Sequence, residues 1–240
     1  MTDFWTAARE LTPSRIGLGR RGDGVATTDV LAFGSAHAGA RDAVHHPLDV
    51  AGVSRRLTEA GWPEPAVVSS AAPDRAAYLR RPDLGRQLAE PFFGDEDAEV
   101  AVVFADGLSA EAVEQHAVPL LSALRDLLGP DLLAPPVIAL QARVALADEV
   151  AYGLNARFCL VLIGERPGLS VTDSLGAYLT WEPRPGVLDS ARNCVSNIRQ
   201  PGGLSYAGAA RTIAALIAGA RELGATGVRL KDGTAALPQT

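Results

Sequence analysis

Four short clusters hold the side chains that could do chemistry: Asp106-Gly107-Leu108-Ser109, Gln141-Ala142-Arg143-Val144, Gly164-Glu165-Arg166-Pro167-Gly168-Leu169 and Arg192-Asn193-Cys194-Val195-Ser196-Asn197-Ile198-Arg199. Asp106 and Ser109 could serve as a base and a hydroxyl at a ligand lip, but Asp, Gly and Ser are also what a turn followed by a helix cap requires. By themselves they read first as turn and cap. Glu165 and Arg166 stand between an apolar run and a Pro-Gly turn. A charged pair at such a mouth must reach solvent or find a partner, so ligand contact, interface and structural ion pair all stay open. Cys194 could be a nucleophile, a soft contact or a small packed residue, and without a chain-adjacent His the nucleophile is the weakest of the three. Val144 is an ordinary apolar residue, singled out only by following a candidate strand.

Several familiar machineries are missing from the sequence. No Gly-x-Gly-x-x-Gly follows the first apolar run, no Gly-Lys-Ser/Thr phosphate loop occurs, and there is no Gly-x-Ser-x-Gly elbow. Dinucleotide, nucleoside triphosphate and hydrolase readings lose their best support. His37, His45, His46 and His116 lack metal-ligand spacing with one another or with cysteine, and are expected on helix surfaces or in a turn. No metal site and no catalytic residue are assigned.

The elements that must position these clusters alternate in type. Val100–Ala105, Val137–Leu140 and residues 158–163 are short, continuous apolar runs, the look of strands buried on both faces of a parallel sheet. Between the first two, residues 109–128 have apolar positions at helical spacing, with Ser109 as the expected N-cap and Ala112 where a capping-box acid would stand. Residues 145–154 and Tyr206–Leu223 supply further helices. Ahead of them, residues 29–44 and 48–60 have helical texture broken at His45-His46-Pro47, Ala66–Ser69 is a short strand candidate, 74–90 reads as turn and helix, and 94–97 is an acidic loop. The expected fold is α/β: a Rossmann-like, doubly wound, mostly parallel sheet over residues 96–240, preceded by an N-terminal helical region over 1–95. Ligands of such sheets bind outside the carboxyl ends of the strands, which is where three of the four clusters fall.

Composition narrows the classes further. Of 240 residues 48% are apolar and 21% charged, the profile of a globular chain with a sizeable core. A net charge of −6 and a single lysine, Lys231, argue against a nucleic-acid footprint. Cys159 lies within an apolar run and reads as core, Cys194 has no Cys-x-x-Cys partner, and a reducing compartment is expected. No apolar run approaches membrane-spanning length and the N-terminus has no leader pattern, so the expected location is the cytoplasm with no membrane partner.

The strand-end clusters also carry a resemblance. Arg81-Pro82-Asp83-Leu84-Gly85-Arg86, Val102-Val103-Phe104-Ala105-Asp106-Gly107-Leu108-Ser109, Arg143-Val144, Gly164-Glu165-Arg166-Pro167-Gly168-Leu169, Asp173-Ser174-Leu175 and Cys194-Val195-Ser196-Asn197-Ile198 are similar, in order and spacing, to the small (light) subunit of ethanolamine ammonia-lyase. The resemblance runs from about Thr12 to the C-terminus and is looser before Tyr78. It implies a non-catalytic subunit of a lyase that, with a large barrel-shaped subunit, encloses adenosylcobalamin and helps deaminate ethanolamine to acetaldehyde and ammonia. It implies cofactor contacts at Val144, Glu165 and Cys194, and a hetero-oligomer of six large and six small chains. No Asp-x-His-x-x-Gly string surrounds any histidine, so cobalamin is expected base-on, with its dimethylbenzimidazole still on cobalt. The chain departs from the family in lacking the longer N-terminal extension associated with packaging into a bacterial microcompartment, and in being about one residue shorter within 183–191. The expected location is therefore cytoplasmic, free or within a microcompartment. Two other classes compete: a free-standing Rossmann-type enzyme using Asp106, Ser109 and Glu165, and a purely structural assembly subunit. An exposed partner surface is expected to make the isolated chain poorly soluble.

Overall fold

The computed structural model describes residues 4–94 and 99–231. The boundary expected near residue 95 and the acidic loop, apart from Gly94, lie outside the described residues. The chain opens with α1 (Phe4–Glu10), the short hairpin β1 (Arg20–Arg21) and β2 (Gly24–Val25), then α2 (Thr27–His45), α3 (Val50–Glu59), β3 (Ala66–Ser69) and α4 (Arg75–Arg80). It continues through β4 (Val100–Ala105), α5 (Ala110–Leu128), β5 (Val137–Leu140), α6 (Leu146–Gly153), β6 (Phe158–Gly164), β7 (Leu175–Trp181), β8 (Arg192–Ile198) and α7 (Tyr206–Leu223).

Six strands form one mixed, mostly parallel sheet in the order β3-β5-β4-β6-β7-β8. β3, β5, β4 and β6 run parallel, and β7 and β8 return antiparallel beside β6. β4 and β6 sit in the middle of the sheet and every residue in them is buried, which explains their unbroken apolar sequence. β3, which precedes the acidic loop in sequence, is an edge strand of this same sheet, in register with β5 from Ala66 opposite Val137 to Ser69 opposite Leu140.

Two crossovers of opposite direction put helices on both faces. From β4 the chain passes through α5 to its neighbour β5; from β5 it passes through α6 back across β4 to β6. With the usual handedness, reversing direction moves the helix to the other face. Accordingly α5 and α7 pack with Val102, Phe104, Leu160 and Leu162 on one side, and α6 packs with Ala101, Val103, Val161 and Ile163 on the other. α5 begins at the expected cap: the Ser109 hydroxyl accepts from the Ala112 N–H at 3.2 Å and donates to the Thr172 carbonyl at 2.7 Å. His116 departs from expectation. It is buried on the inner face of α5 rather than on the helix surface, with Nδ1 2.8 Å from the Tyr206 hydroxyl and Nε2 3.5 Å from Asp173.

The second face is only half covered. α6 lies over β4 and β6, while further along that side Tyr178 of β7 is part-buried and Cys194 and Ser196 of β8 are exposed. Leu175, Ala177, Leu179, Val195 and Ile198 point into the α5–α7 core, so alternation turns Gly176, Tyr178, Cys194 and Ser196 toward the bare side. The first two helices are also lightly buried: α1 buries no residue and α2 only Ala43, leaving Val30, Leu31 and Phe33 exposed. No helix among the described residues is long and apolar enough to cross a membrane.

Candidate functional site

The carboxyl ends of β4, β5 and β6 meet at Asp106, which is 3% exposed. Its two oxygens accept from the backbone N–H groups of Gln141 and Ala142, at 2.9 and 3.0 Å, so the β4 end holds the β5 end. Arg75 approaches the same carboxylate at 3.6 Å and also donates to the carbonyls of Gly107 and Val44. Burial pushes the Asp106 carboxyl up, against the downward pull of the two amides and Arg75. Gly107 is in the left-handed region, φ 56°, and packs its backbone on Gly164; a side chain at either glycine would collide with backbone of the other loop. Asp106 and Ser109 are thus held in structural hydrogen bonds, and neither converges with Glu165 on open space.

Beside this knot, Tyr78 is fully buried with its hydroxyl donating to the Ala142 carbonyl at 3.1 Å. Desolvation pushes its phenol up to about 12. The guanidinium of Arg143 stacks over one side of the ring at 4.4 Å and that of Arg75 at 4.8 Å. The Arg143 N–H donates to the Gly85 carbonyl at 2.7 Å, and a Cβ at Gly85 would press on both Arg143 and Tyr78. The resembling string around Gly85 therefore has a packing role: it wedges the β5–α6 turn that carries Arg143 and Val144.

A recess of about 170 Å³ opens between these strand ends, lined by Val144, Glu165, Arg143, Arg166, Leu108 and Tyr178 among others. Glu165 does not pair with Arg166. Its carboxylate accepts from the Ser174 hydroxyl and from the Asn197 N–H at 3.3 Å, which ties the ends of β6, β7 and β8 together. Tyr178 lies opposite Cys194 in the β7–β8 register, and Cys194 is exposed with its sulfur 3.1 Å from the Ser196 hydroxyl. Burial, with the Cys194 thiol and Glu165 alongside, raises the Tyr178 phenol far above its ordinary value and keeps it neutral. Val144 and Glu165 share the recess, and Cys194 joins them by way of Tyr178 on the bare sheet face. The surface can hold a broad, largely apolar ligand: Val144 and the Tyr178 ring offer apolar contact, the exposed Cys194 allows close approach, and Glu165 accepts hydrogen bonds.

The far end of this face is sealed by a buried ion pair. Arg192 on β8 meets Asp148 on α6 at 2.6 and 2.7 Å and donates to Thr180 on β7 at 2.9 Å and to the Val187 carbonyl at 2.9 Å. Arg192 and Asp148 are almost completely buried. The pair sets the position of β8, and with it Cys194, relative to α6.

Tyr178, Tyr78, Gly85, Asp148 and Thr180 escaped the sequence reading as site residues. β7 carried a usable signal, the alternation Leu175, Ala177, Leu179 with Gly176, Tyr178 and Thr180 between them. Nothing in the sequence brings Asp148 to Arg192, 44 residues apart.

Comparison with known proteins gives this geometry a context. The family described as ethanolamine ammonia-lyase light chain (EutC) matches residues 2–231. An ethanolamine ammonia-lyase small subunit of Rhodococcus erythropolis is 52% identical over 232 residues, covering 96% of this chain and 90% of that one. Those of Ralstonia nicotianae and Azotobacter vinelandii are each 48% identical over 239 residues, covering 95% of this chain and 88% of theirs. The architecture is that of a mixed α/β protein with a six-stranded, mostly parallel sheet. The chain belongs to the ethanolamine ammonia-lyase light chain family.

Proposed function

We propose that this chain is the small, non-catalytic subunit of an adenosylcobalamin-dependent ethanolamine ammonia-lyase, closing one side of the cofactor site while a large subunit deaminates ethanolamine to acetaldehyde and ammonia. The observation that carries the reading is the bare β7–β8 face with Val144, Glu165, Tyr178 and Cys194 around its open end. A corrin is a broad apolar disc fringed with amides, and that residue set suits it. The cofactor, when bound, supplies the radical chemistry. Val144 and Tyr178 pack against it, Glu165 accepts from its amide fringe, and Cys194 lets the β8 backbone come close. The Tyr178 phenol, held neutral, adds no charge of its own to this wall.

The finer fold reading goes with this proposal: a Rossmann-like domain over 96–240, to which the N-terminal region, 1–95, lends the edge strand β3 while its helices meet the partner. The exposed Val30, Leu31 and Phe33 of α2 support an apolar contact with the large subunit. Six copies of each chain, base-on cobalamin, and a cytoplasmic site with or without a microcompartment complete the reading. The free-standing enzyme finds little support, because Asp106 and Ser109 are both buried and engaged.

The test is ethanolamine deamination with adenosylcobalamin by this chain alone, by the large subunit alone, and by the two co-expressed. Activity only in the mixture, co-purifying at a fixed ratio, is the expected result. Activity by either chain alone, or no association, would overturn the proposal.

A further inference from the structure

Arg143 is incompletely bonded, and unlike Arg75, whose Nη2 is also buried without an acceptor, it has no carboxylate beside it. Other arginines near it meet carboxylates: Arg75 meets Asp106, Arg86 meets Asp189 and Arg192 meets Asp148. Among the described residues Arg143 has no carboxylate within ion-pair distance, and neither has Arg166. Glu165, the carboxylate that lines the same recess, is engaged with Ser174 and Asn197. The Arg143 guanidinium makes a single long bond, 3.4 Å to the Tyr78 carbonyl, and its Nε is buried without any acceptor. Yet it is firmly placed, stacked on Tyr78 and wedged by Gly85. A rigid, part-buried guanidinium without a counter-charge is costly unless a partner completes it, and its fork matches the oxygens of a phosphate or carboxylate.

The space in front of it is concave. Arg143, Arg166 and Leu108 line both the 170 Å³ recess beside Val144 and an adjoining hollow of about 480 Å³, to which Arg41, Val44 and Leu79 also contribute. Three guanidiniums thus border one hollow in a chain of net charge −6. The amides around a corrin are neutral, and the phosphodiester of the nucleotide tail is the peripheral negative charge of cobalamin. Resting on the cobalamin reading above, we infer that Arg143, assisted by Arg166, is the subsite for that phosphodiester. Its position next to Val144 in the chain places it at the rim of the corrin wall. This favours the cofactor's anion over a carboxylate of the large subunit, which would meet a protruding arginine more readily than one in a hollow.

The experiment is visible-spectrum titration of the co-expressed complex with three corrinoids: cyanocobalamin, cobinamide phosphate, and cobinamide, which lacks the phosphate. Arg143→Gln is expected to weaken the first two by about tenfold or more and to leave cobinamide unchanged. Arg166→Gln should give the same pattern with a smaller loss, and Arg143→Lys, which keeps the charge but loses the planar fork, an intermediate one. Equal losses for all three corrinoids, or no loss for any, would overturn the assignment, as would dissociation of the subunits by Arg143→Lys and Arg166→Gln on size-exclusion chromatography. A parent complex that binds none of the corrinoids would instead overturn the cobalamin reading itself.

Discussion

Tyr178 and Cys194 stand opposite each other across the antiparallel β7–β8 pair, on the side of the sheet that α6 leaves uncovered. Because Cys194 is exposed, its replacement is separable from folding. Cys194→Ser is expected to stay within about 0.5 kcal/mol of the parent in thermal unfolding. Cys194→Phe should do nearly the same, yet cut cobalamin affinity of the two-subunit complex by about tenfold or more, because a ring there fills the approach to the β8 backbone. Spectral titration with cyanocobalamin reads the second effect.

Asp106 predicts a stability effect without a matching role in ligand contact. Asp106→Ala leaves the Gln141 and Ala142 N–H groups and Arg75 without their acceptor. The expected loss is about 3–5 kcal/mol in urea unfolding, the scale for a buried charged hydrogen-bond network with one member removed. Unchanged stability would mean that water replaces the carboxylate and that the strand ends are not locked by it.

The Arg192–Asp148 pair should behave as buried ion pairs do. Asp148→Leu alone, or Arg192→Met alone, is expected to cost about 3–5 kcal/mol by stranding the other charge, while the double replacement recovers much of the loss. A double-mutant cycle by chemical denaturation measures the coupling.

Tyr78 supplies the pH dependence. Its folded-state pKa of about 12 lies above its ordinary value of about 10. The neutral phenol therefore stabilises the fold fully below about pH 10, and that contribution is lost as pH rises toward about 12. At pH 8, Tyr78→Phe should cost about 1 kcal/mol for the bond to the Ala142 carbonyl. Between pH 10 and 12 the gap between parent and variant should narrow and then reverse, because the variant has no phenol to ionise. Urea midpoints at pH 8 and pH 11 check the sign.

The sequence made some parts of this architecture legible for a definite reason. Val100–Ala105 and Val137–Leu140 are buried strands and look so, and Ser109 caps α5 because a short hydroxyl beside a turn has little else to do. Val144 and Glu165 were found as strand-end residues, and the strands do bring them to one recess. β7 and β8 were harder to see. A half-exposed pair carries Gly176, Thr180, Asn193 and Ser196 within it, so its composition resembles loop even though its alternation does not. His116 was misplaced because polarity suggested the surface, whereas Tyr206 and Asp173, distant in sequence, make a buried position tolerable. Contacts closed only by tertiary structure, such as Arg192 with Asp148, leave no local trace.

The crevice between β4 and β5, where the chain reverses direction along the sheet, is the customary berth for ligands in folds of this kind, and here Asp106 stoppers it from within. The open space lies beside it instead, in the recess that runs from Arg143 and Val144 past Glu165 to Tyr178 on β7, and under the proposed function this polypeptide would provide a floor but no roof. On the proposed reading, such a cavity would be the joint property of two surfaces.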